Sequence, residues 1–338
     1  MKLRAGIVGF RGYSGMELVR ILRSHPRVEP VLMEHRSDAA PEVHPLGWRG
    51  PERIEAAPEA ARDAGIRVVL LATPADVSMQ LAPGFLEAGI RVIDLSGAFR
   101  LRTVERYRRW YQEEHTQPAL LEEAVYGLPE FYRERIAGAR LVANPGCYPT
   151  AANLALRPLV QAGCIERAHG VVCDAKSGVS GAGRKPSLKT SFCEVTENFS
   201  AYSILGHRHV PEVLLNSGLE EHEFSFTAHL LPIHRGILET LYFRAAEGVT
   251  AEQLLEAYQA AYGKERFVKL YAPGVVPDLR PVQHTNECHI GFRVDDATRR
   301  AVVVACIDNL GKGAAGQAVQ NLNLMLGLAE EEGLECGS

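Results

Sequence analysis

The stretch LRAGIVGFRGYSGMELVRILRSHP (residues 3–26) decides how the N-terminal half folds. A short apolar run leads into glycines spaced G-x-x-G-x-x-G, and a helical pattern follows until a proline ends it. Helical spacing predicts that Met16, Val19 and Leu22 or Leu18 share one face. A strand, a glycine-rich turn and a helix in this order are typical of the start of a βαβ unit.

The rest of the chain first continues this pattern and then departs from it. The runs VEPVLMEH, RVVLLATP and RVIDLS predict three more parallel strands within the first 100 residues. From about residue 148, longer alternating runs such as GVVCDAKS, ILETLYFRA and NECHIGFRV predict a second domain with a mixed or antiparallel sheet. The expected fold class is therefore α/β: a Rossmann-type nucleotide-binding domain plus an α+β catalytic domain.

The composition excludes several classes of protein. Of 338 residues, 46% are hydrophobic and 23% are charged, so the chain can bury a large core. The formal charge of −4 gives no general attraction to nucleic acid or anionic lipid, and no apolar stretch reaches the roughly 18 residues of a membrane span. The N-terminus has no signal-peptide pattern. We therefore expect a cytoplasmic protein with no nucleic-acid partner and no membrane partner.

The seven cysteines form no CxxC pair and lack the spacing of a structural zinc site. Neither a disulfide framework nor a bound metal is expected.

The glycine-rich turn is the predicted nucleotide site. Gly9, Gly12 and Gly15 permit positive φ angles and let a ligand approach the backbone, while the N–H groups at the helix start favour a pyrophosphate. Tyr13 and Ser14 lie between these glycines and belong to the same candidate cofactor-binding set. A tight turn without a ligand is the alternative.

The end of the second strand bears on the choice of cofactor. A carboxylate there is typical of NAD sites, and a cation is typical of sites for the 2′-phosphate of NADP. Arg36 and Ser37 favour NADP, whereas Glu34 is the opposing signal because strand alternation places it on the same side as Arg36. We expect NADP, with a solvated surface arginine as the alternative.

Cys147 is the candidate nucleophile. In ANPGCYPTAANLAL it precedes an Ala/Leu-rich helical pattern, so its thiol should lie at a helix N-terminus, where a thiolate is stabilised. A nucleophilic cysteine needs a proton donor or acceptor, and GHRHVPE supplies His207, His209 and Glu212. The pattern leaves open which histidine meets the thiol. Zinc ligation is the alternative, but no third histidine or cysteine cluster accompanies these residues.

Other glycine-rich and basic segments have two interpretations. The loop DAKSGVSGAGRKP carries Ser177, Arg184 and Lys185 and suits the approach of a cofactor or an anionic substrate, but mobile surface loops have the same composition. Arg100 in DLSGAFR and the segment HRG (residues 234–236) have either a binding role or a structural one.

The chain resembles the N-acetyl-γ-glutamyl-phosphate reductase family in motifs spread over about residues 5 to 327. They are, in order, GFRGYSGMEL, DLSGAFRL, AVYGLPE, NPGCYPT, DAKSGVSGAGR, GHRHVPE and IDNLGKGAAGQAVQN. The resemblance implies reduction of N-acetyl-γ-glutamyl phosphate by NADPH to N-acetylglutamate 5-semialdehyde and phosphate, in arginine biosynthesis. It also implies the fold of the glyceraldehyde-3-phosphate and aspartate-semialdehyde dehydrogenases, in which the last helix returns to the nucleotide domain.

The resemblance also implies roles for single residues. Cys147 would form a thioester with the substrate, and His207 or His209, positioned with Glu212, would transfer the proton. The candidate residues near the nicotinamide are Ser177, Gly178 and Asn309. The candidate substrate-binding residues are Arg100, Asn144, Lys185 and Arg235.

The implied domains are residues 1–147 with 311–338, which bind NADP, and residues 148–310, which carry catalysis and oligomerisation. A homo-oligomer, dimer or tetramer, is expected. Two departures from the family, MEHRS and PIHRGIL, bear on cofactor preference and on substrate contacts around Arg235.

Three alternatives to this function are open. The nearest is a reductase of carrier-protein-linked aminoadipyl phosphate in lysine biosynthesis, although NPGCYPT favours the arginine branch. A nucleotide-sensing regulator would not need Cys147 and GHRHVPE, and a cysteine hydrolase would not need the glycine turn.

Overall fold

A computed structural model of the chain describes residues 2–35 and 50–334. These residues divide into two compact units. Those of the first unit lie within Met1–Arg102, His115–Asn144 and Ala318–Glu335, and those of the second lie within Thr103–Glu114 and Pro145–Gln317. The assignment of residues 103–114 to the second unit was not predicted. The functional division at residues 147/148 and 310/311 stays a prediction.

Strands and helices alternate along much of the first unit, and long strands are typical of the second. The strands are β1 (Leu3–Val8), β2 (Val28–Glu34), β3 (Arg53–Glu55), β4 (Ile66–Leu71), β5 (Arg91–Asp94), β6 (Val125–Tyr126), β7 (Leu141–Ala143), β8 (Val171–Gly178), β9 (Ser200–Tyr202), β10 (Phe224–Leu231), β11 (Ile237–Arg244), β12 (Val268–Leu270), β13 (Cys288–Asp295) and β14 (Arg300–Ile307). The α-helices are α1 (Tyr13–Ser24), α2 (Pro58–Asp63), α3 (Ala75–Glu87), α4 (Val104–Tyr111), α5 (Pro118–Glu123), α6 (Pro129–Ala137), α7 (Cys147–Gln161), α8 (Phe192–Val195), α9 (Val210–Ser217), α10 (Ala251–Tyr262) and α11 (Gly316–Leu326). A π-helical turn, Gly311–Ala315, precedes α11. Of these helices, none is long and apolar enough to cross a membrane.

The first unit is built on a parallel sheet with the strand order β3-β2-β1-β4-β5-β7-β6. The strands predicted from sequence are β1, β2, β4 and β5, and their apolar runs are buried almost throughout. The strand order reverses direction between β1 and β4, which in doubly wound sheets creates a crevice at the carboxyl ends of these strands. The doubly wound prediction is confirmed.

Helix α1 buries a different face from the predicted one. Leu18 and Leu22 are buried together with Gly15, whereas Met16 is 48% exposed. A Cβ on Gly15 would collide with the backbone of Gly9, so the glycine packs closely there. Because residues i, i+3 and i+7 share a helix face, this contact turns positions 15, 18 and 22 inward and Met16 outward.

The second unit is built on a mixed sheet with the order β12-β13-β14-β11-β8-β10-β9. Its β8–β10 and β12–β13 pairs are parallel, and the other pairs are antiparallel, which confirms the predicted mixed sheet. Helices α7 and α10 are joined by the hydroxyls of Tyr258 and Tyr262, which donate to carbonyls of α7. On β8 and β11, Val172 and Tyr242 lie opposite each other and are 47% and 44% exposed.

Glu239 is a carboxyl group in the middle of this sheet. It lies on β11 between Ala175 and Ala305 of the neighbouring strands, and it is fully buried. The Cys173 thiol, 3.8 Å away, donates to its Oε2. Burial raises the pKa of Glu239 well above its usual value, against the opposing effects of the Cys173 hydrogen bond and the Lys176 charge. The folded protein therefore prefers the protonated form of Glu239.

This preference predicts a pH-dependent stability. A carboxyl whose pKa is higher in the folded state contributes full stability below its unfolded pKa and loses it as pH rises toward the folded pKa. We therefore expect Glu239→Gln to raise the free energy of unfolding relative to wild type by more at about pH 8 than at about pH 5, in urea titrations. Glu87→Gln, the same change at an exposed side chain, is the control. An equal gain at both pH values would contradict the prediction.

Candidate active site

The glycine turn of the first unit has the close-packed geometry of a phosphate cradle. Gly9 has a φ of +80°, and a Cβ there would collide with the backbone of Ala72. Gly12 is the N-cap of α1, its N–H donates to the Gly9 carbonyl at 3.0 Å, and no side chain caps the helix. Tyr13 and Ser14 begin α1. A pyrophosphate fits this arrangement because the backbone N–H groups at the start of α1 and the positive end of its dipole both point toward the ligand, with no Cβ of a glycine in between.

Glu34, at the end of β2, is engaged by two arginines. Its Oε1 lies 2.9 Å from Arg11 Nη2 and 3.3 Å from Arg53 Nη1. Both guanidinium groups also lie over the Phe10 ring, at 4.5 and 5.5 Å from its centroid. The carboxylate that opposed an NADP assignment in the sequence is therefore neutralised by cations.

Arg36 and Ser37, the predicted contacts of the 2′-phosphate, lie outside the described residues.

In the second unit, Cys147 is the first residue of α7, with Gly146 as the N-cap. The cysteine is half-buried and no side chain caps the helix. The Thr150 hydroxyl donates to the Gly146 carbonyl at 2.9 Å and holds the first turn. Because the positive end of the helix dipole lies at Cys147, negative charge on its sulfur is favoured.

Helix α9 brings two of the predicted residues to Gly146. The carboxylate of Glu212, fully buried, accepts a hydrogen bond from the Gly146 N–H at 3.0 Å. The ring of His209, the N-cap of α9, packs so closely that a Cβ on Gly146 would lie 2.7 Å from Nε2. Glycine before the cysteine is therefore what lets the imidazole approach the start of α7.

His207 has a different environment from His209. Its Nδ1 accepts a hydrogen bond from the His209 N–H at 3.1 Å, and its ring packs against those of Tyr148 and Tyr202, at 5.5 and 5.6 Å between centroids. Burial, with a smaller effect of the Arg208 charge, lowers the pKa of His207 to about 4. At neutral pH this imidazole is uncharged, and it fixes the backbone that carries His209.

Two tyrosines lie beside the cysteine, and the sequence patterns did not identify either as a site residue. The hydroxyls of Tyr148 and Tyr202 are hydrogen bonded at 3.1 Å. Burial is the largest cause that raises the pKa of Tyr148 and that raises the pKa of Tyr202 to about 12, and negative charge on Cys147 contributes to both shifts. Their phenols thus stay protonated and lie within electrostatic reach of the thiol. Tyr202 stands in a stretch with no recognisable motif, so no sequence signal pointed to it.

The predicted nicotinamide contacts form a hydrogen-bonded group of loops. Asn309 accepts the backbone N–H of residue 236 at 2.8 Å through Oδ1 and donates to the Ser180 hydroxyl at 2.9 Å through Nδ2. Ser177 is buried at the end of β8, and a Cβ on Gly178 would collide with the backbone of His234 and Arg235. Asn309 therefore ties the glycine-rich loop to the turn before β11.

Arg235 is held inside the protein. Its Nε lies 3.0 Å from Asp308 Oδ2, and its Nη1 lies 2.8 Å from His284 Nδ1. Asp308, fully buried, also accepts the N–H groups of Leu310 and Gly311 at 2.8 and 3.1 Å. The ion pair therefore anchors the start of the π-helical turn, a supporting role that sequence reasoning did not assign to Asp308.

The π-helical turn packs directly on the cysteine. The Gly313 N–H donates to the Asp308 carbonyl at 2.9 Å, and a Cβ on Gly313 would lie 2.9 Å from the Cβ of Cys147. Real Cβ atoms essentially never approach this closely, so any side chain at position 313 must displace Cys147 or the turn.

We therefore expect Gly313→Ala to slow alkylation of Cys147 by iodoacetamide roughly tenfold, because a sulfur displaced from the N-terminus of α7 loses the stabilisation of its reactive thiolate. The rate is read by peptide mass spectrometry. Gly138→Ala is the matched control, since no atom lies within 4 Å of the added Cβ. An unchanged alkylation rate in Gly313→Ala would refute the contact.

The remaining candidates lie elsewhere. In the first unit, buried Arg100 donates through Nε to the Asn144 carbonyl and through Nη2 to the Leu95 carbonyl, both at 2.8 Å. The Asn144 carboxamide accepts from Asn321 at 3.0 Å. In the second unit, Lys185 is exposed. Within the described ranges, no group of three His, Cys, Asp or Glu side chains could hold a metal ion.

Comparison with known proteins shows which family this chain belongs to. Residues 4–139 match the family model of the semialdehyde dehydrogenase NAD binding domain, and residues 147–309 match that of the semialdehyde dehydrogenase dimerisation domain. A protein of Symbiobacterium thermophilum named N-acetyl-γ-glutamyl-phosphate reductase is 50% identical, over 99% of this chain and 98% of that protein. The chain belongs to the N-acetyl-γ-glutamyl-phosphate reductase family. A reductase of the same name from Dehalococcoides mccartyi is 48% identical over the same shares of the two chains.

Solved structures agree on the fold of this reductase family. An aspartate semialdehyde dehydrogenase II of Vibrio cholerae superposes with a TM-score of 0.72 at 21% identity, over 96% of this chain and 99% of that one. The Candida albicans aspartate semialdehyde dehydrogenase solved with NADP gives 0.66 at 16% identity over the same shares. The predicted fold class is confirmed.

Proposed function

We propose that this protein reduces N-acetyl-γ-glutamyl phosphate with NADPH to N-acetylglutamate 5-semialdehyde, with release of phosphate. The observation that carries the proposal is the assembly around Gly146: Cys147 begins α7, and α9 brings Glu212 and the His209 ring to the same glycine. The 50% identity to a reductase of that name supports the substrate. A nucleotide-sensing regulator has no need of this assembly.

In the first step, the Cys147 thiolate attacks the acyl carbon of the acyl phosphate. The C–S bond forms, the C–O bond to phosphate breaks, and phosphate leaves with the electron pair. A thioester remains on the cysteine. The N-terminus of α7 stabilises the attacking thiolate, and phosphate is a good leaving group, so no acid is needed in this step.

In the second step the thioester becomes an aldehyde. When bound, NADPH would supply a hydride to the thioester carbon. His209 then donates a proton to the oxygen, which gives a thiohemiacetal on Cys147. The same imidazole takes that proton back as the C–S bond breaks, so the aldehyde leaves and the thiolate is restored. We assign proton transfer to His209 because its ring packs against Gly146, and a positioning role to neutral His207.

The glycine turn, with Gly9, Gly12, Tyr13, Ser14 and Gly15, would hold the pyrophosphate of the cofactor. Arg11 and Arg53 occupy the Glu34 carboxylate, which supports NADPH over NADH, with Arg36 and Ser37 as the proposed contacts of the 2′-phosphate. In this proposal residues 1–147 and 311–338 bind the nucleotide and residues 148–310 carry the chemistry.

The other predicted residues keep their proposed roles, with one change. Ser177, Gly178 and Asn309 would lie near the nicotinamide, and Arg100, Asn144 and Lys185 would bind the anionic substrate. For Arg235, the buried pair with Asp308 favours a positioning role.

The test is a stoichiometric assay of the purified protein. N-acetyl-γ-glutamyl phosphate, made enzymatically, is added with NADPH, and NADPH loss and phosphate release are followed together. We expect equal amounts of both and a much lower rate with NADH. A protein that binds NADPH but does not oxidise it with this substrate would contradict the proposal. If the protein turned over a carrier-linked aminoadipyl phosphate instead, its function would be in lysine biosynthesis.

A second copy of this chain is the proposed partner. The match of residues 147–309 to a dimerisation domain supports a homo-oligomer, dimer or tetramer. A biosynthetic reductase fed by NADPH would work in the cytoplasm, without a nucleic-acid or membrane partner.

A further inference from the structure

Arg208 lies between the two histidines of the candidate active site and carries a positive charge. The Val210 N–H donates to the His207 carbonyl at 3.0 Å, so the segment from His207 to Val210 forms a tight turn at the start of α9. The Arg208 side chain is exposed. Burial is the main cause that lowers the pKa of His207 to about 4, and the Arg208 charge adds to this shift. A cation therefore lies within electrostatic reach of the site imidazoles.

An aromatic stack holds the Arg208 guanidinium. Its Cζ lies 5.4 Å from the centroid of the Tyr111 ring, which is within the range of a cation–π contact. Tyr111, at the end of α4, is buried and stacked on the Tyr107 ring, with 4.7 Å between centroids and 4° between planes. Helix α4 is also tied to the second unit by Arg109 and Glu221, whose charged groups are 2.6 Å apart. Arg208 is thus held on a buried aromatic platform.

No carboxylate in the described part of the chain forms an ion pair with Arg208. Glu114 and Glu221 pair with other arginines, at 2.8 and 2.6 Å. Glu212, in the first turn of α9, accepts the Gly146 N–H at 3.0 Å. A guanidinium carries its N–H donors at its edge, where two of them can donate together to a carboxylate or a phosphate. The donors of Arg208 therefore suit a bound anion.

We propose that Arg208 binds an anionic group of the substrate, its carboxylate or its phosphate, beside Cys147. The identity of this anion rests on the reaction proposed above, since N-acetyl-γ-glutamyl phosphate carries both groups. Of the other candidate arginines, Arg100 donates to two backbone carbonyls, and Arg235 is paired with Asp308. Arg208 supplies a charge that those two arginines direct to groups of the protein itself.

The proposal gives helix α4 a part in substrate binding. Residues 103–114 belong to the second unit, although the chain on both sides of them belongs to the first. Through Tyr111 this helix reaches the turn that carries both site histidines. Loss of the Tyr111 ring should therefore release the Arg208 guanidinium while both imidazoles remain.

The first experiment measures the effect of charge at Cys147 without substrate. The cysteine is alkylated with iodoacetate, which is an anion, and with neutral iodoacetamide, which is nearly the same size, and both rates are read by peptide mass spectrometry. A general change in thiol reactivity alters both rates alike, whereas loss of a nearby cation slows only the anionic reagent. We expect Arg208→Gln to lower the iodoacetate-to-iodoacetamide rate ratio about fivefold, as for one unit charge several ångströms away. Added salt should shrink this difference.

Matched variants separate the charge from the fold. Arg208→Lys keeps the charge and Tyr111→Phe keeps the aromatic face, so both should retain most of the wild-type ratio, whereas Tyr111→Leu should lower it. Arg300→Gln removes an exposed arginine at the opposite end of β14 from Asp308 and should leave the ratio unchanged. Thermal melts followed by circular dichroism check that every variant is folded. An unchanged ratio in Arg208→Gln, or an equal loss of both rates, would overturn the proposal.

The second experiment identifies the anion. Inorganic phosphate and N-acetyl-L-glutamate, which has carboxylates but no phosphate, are compared as protectants of Cys147 against iodoacetamide. If Arg208 binds the phosphate, Arg208→Gln should weaken protection by inorganic phosphate about tenfold or more and spare protection by N-acetylglutamate. If it binds the carboxylate, the effects should be reversed. Protection that is the same in wild type and Arg208→Gln for both anions would contradict the proposal. Neither experiment needs turnover, so a failure of the proposed reaction is distinguished from a failure of this anion site.

Discussion

Cys147→Ser is expected to abolish reduction of the acyl phosphate, with turnover at least about 10⁴-fold below wild type, as for other enzymes that lose a covalent nucleophile. The helix N-terminus that favours a thiolate cannot ionise a serine hydroxyl near neutral pH. Without the thioester there is no acyl group for the hydride to reduce, so NADPH oxidation and phosphate release should fail together. The measurement is the stoichiometric assay with both products followed.

The control for this variant is Cys193→Ser, the same substitution at an exposed cysteine. It should retain wild-type activity, and both variants should melt within a few degrees of wild type, since Cys147 is half-buried and serine fits its space. If Cys147→Ser kept more than about a tenth of wild-type turnover, the covalent mechanism would be wrong. Phosphate release that persists without NADPH oxidation would instead indicate hydrolysis of the acyl phosphate.

Local sequence patterns predicted those parts of the molecule that local structure determines. The glycine turn, the strands that became β1, β4 and β5, and the placement of Cys147 at the start of α7 each follow from neighbouring residues. The prediction of which face of α1 is buried was wrong, because the packing of Gly15 on Gly9 decides the buried face and hydrophobic spacing alone does not. Hydrophobic periodicity specifies which residues can share a face, and a close backbone contact selects among those faces.

The supporting residues of the site could not be predicted, because they come from distant parts of the chain. Asp308 anchors the π-helical turn only when β14 returns beside the 234–236 segment, and Gly313 reaches Cys147 only in the folded unit. Tyr202 is 54 residues from its partner Tyr148. Each contact depends on sheet topology, about which spacing in the sequence carries no information.

The two histidines show both what a local sequence pattern predicts and what only the folded structure decides. GHRHVPE predicted that one imidazole serves Cys147 but left open which, since strand and helix orient the pair differently. In the structure His209 caps α9 and packs on Gly146, whereas His207 lies in an aromatic cluster with its Nδ1 occupied by the His209 N–H. The two imidazoles therefore differ because His207 is buried in the folded protein among aromatic rings and His209 is not.

The different environments of His207 and His209 lead to the second prediction of a large change in turnover. His209→Ala should lower turnover about 10²- to 10³-fold, because a positioned proton donor and acceptor contributes this much. His207→Asn should cost far less, since an asparagine Oδ1 can accept the same backbone N–H two residues on, as in an Asx turn. The turnover of His207→Leu, whose side chain cannot accept this hydrogen bond, should lie between those of His207→Asn and His209→Ala. Steady-state assays with saturating NADPH give the three values.

Chemical rescue separates proton transfer from structural support. Removing the His209 side chain leaves space beside Gly146, so added imidazole should restore part of the activity of His209→Ala and none of that of His207→Leu. Alkylation of Cys147 by iodoacetamide should persist in His207→Asn, because the start of α7 is held by Glu212 and Thr150. If His207→Leu were the weaker enzyme and imidazole rescued it, the roles of the two histidines would be exchanged, and the aromatic cluster around His207 would have to open during turnover to let protons through.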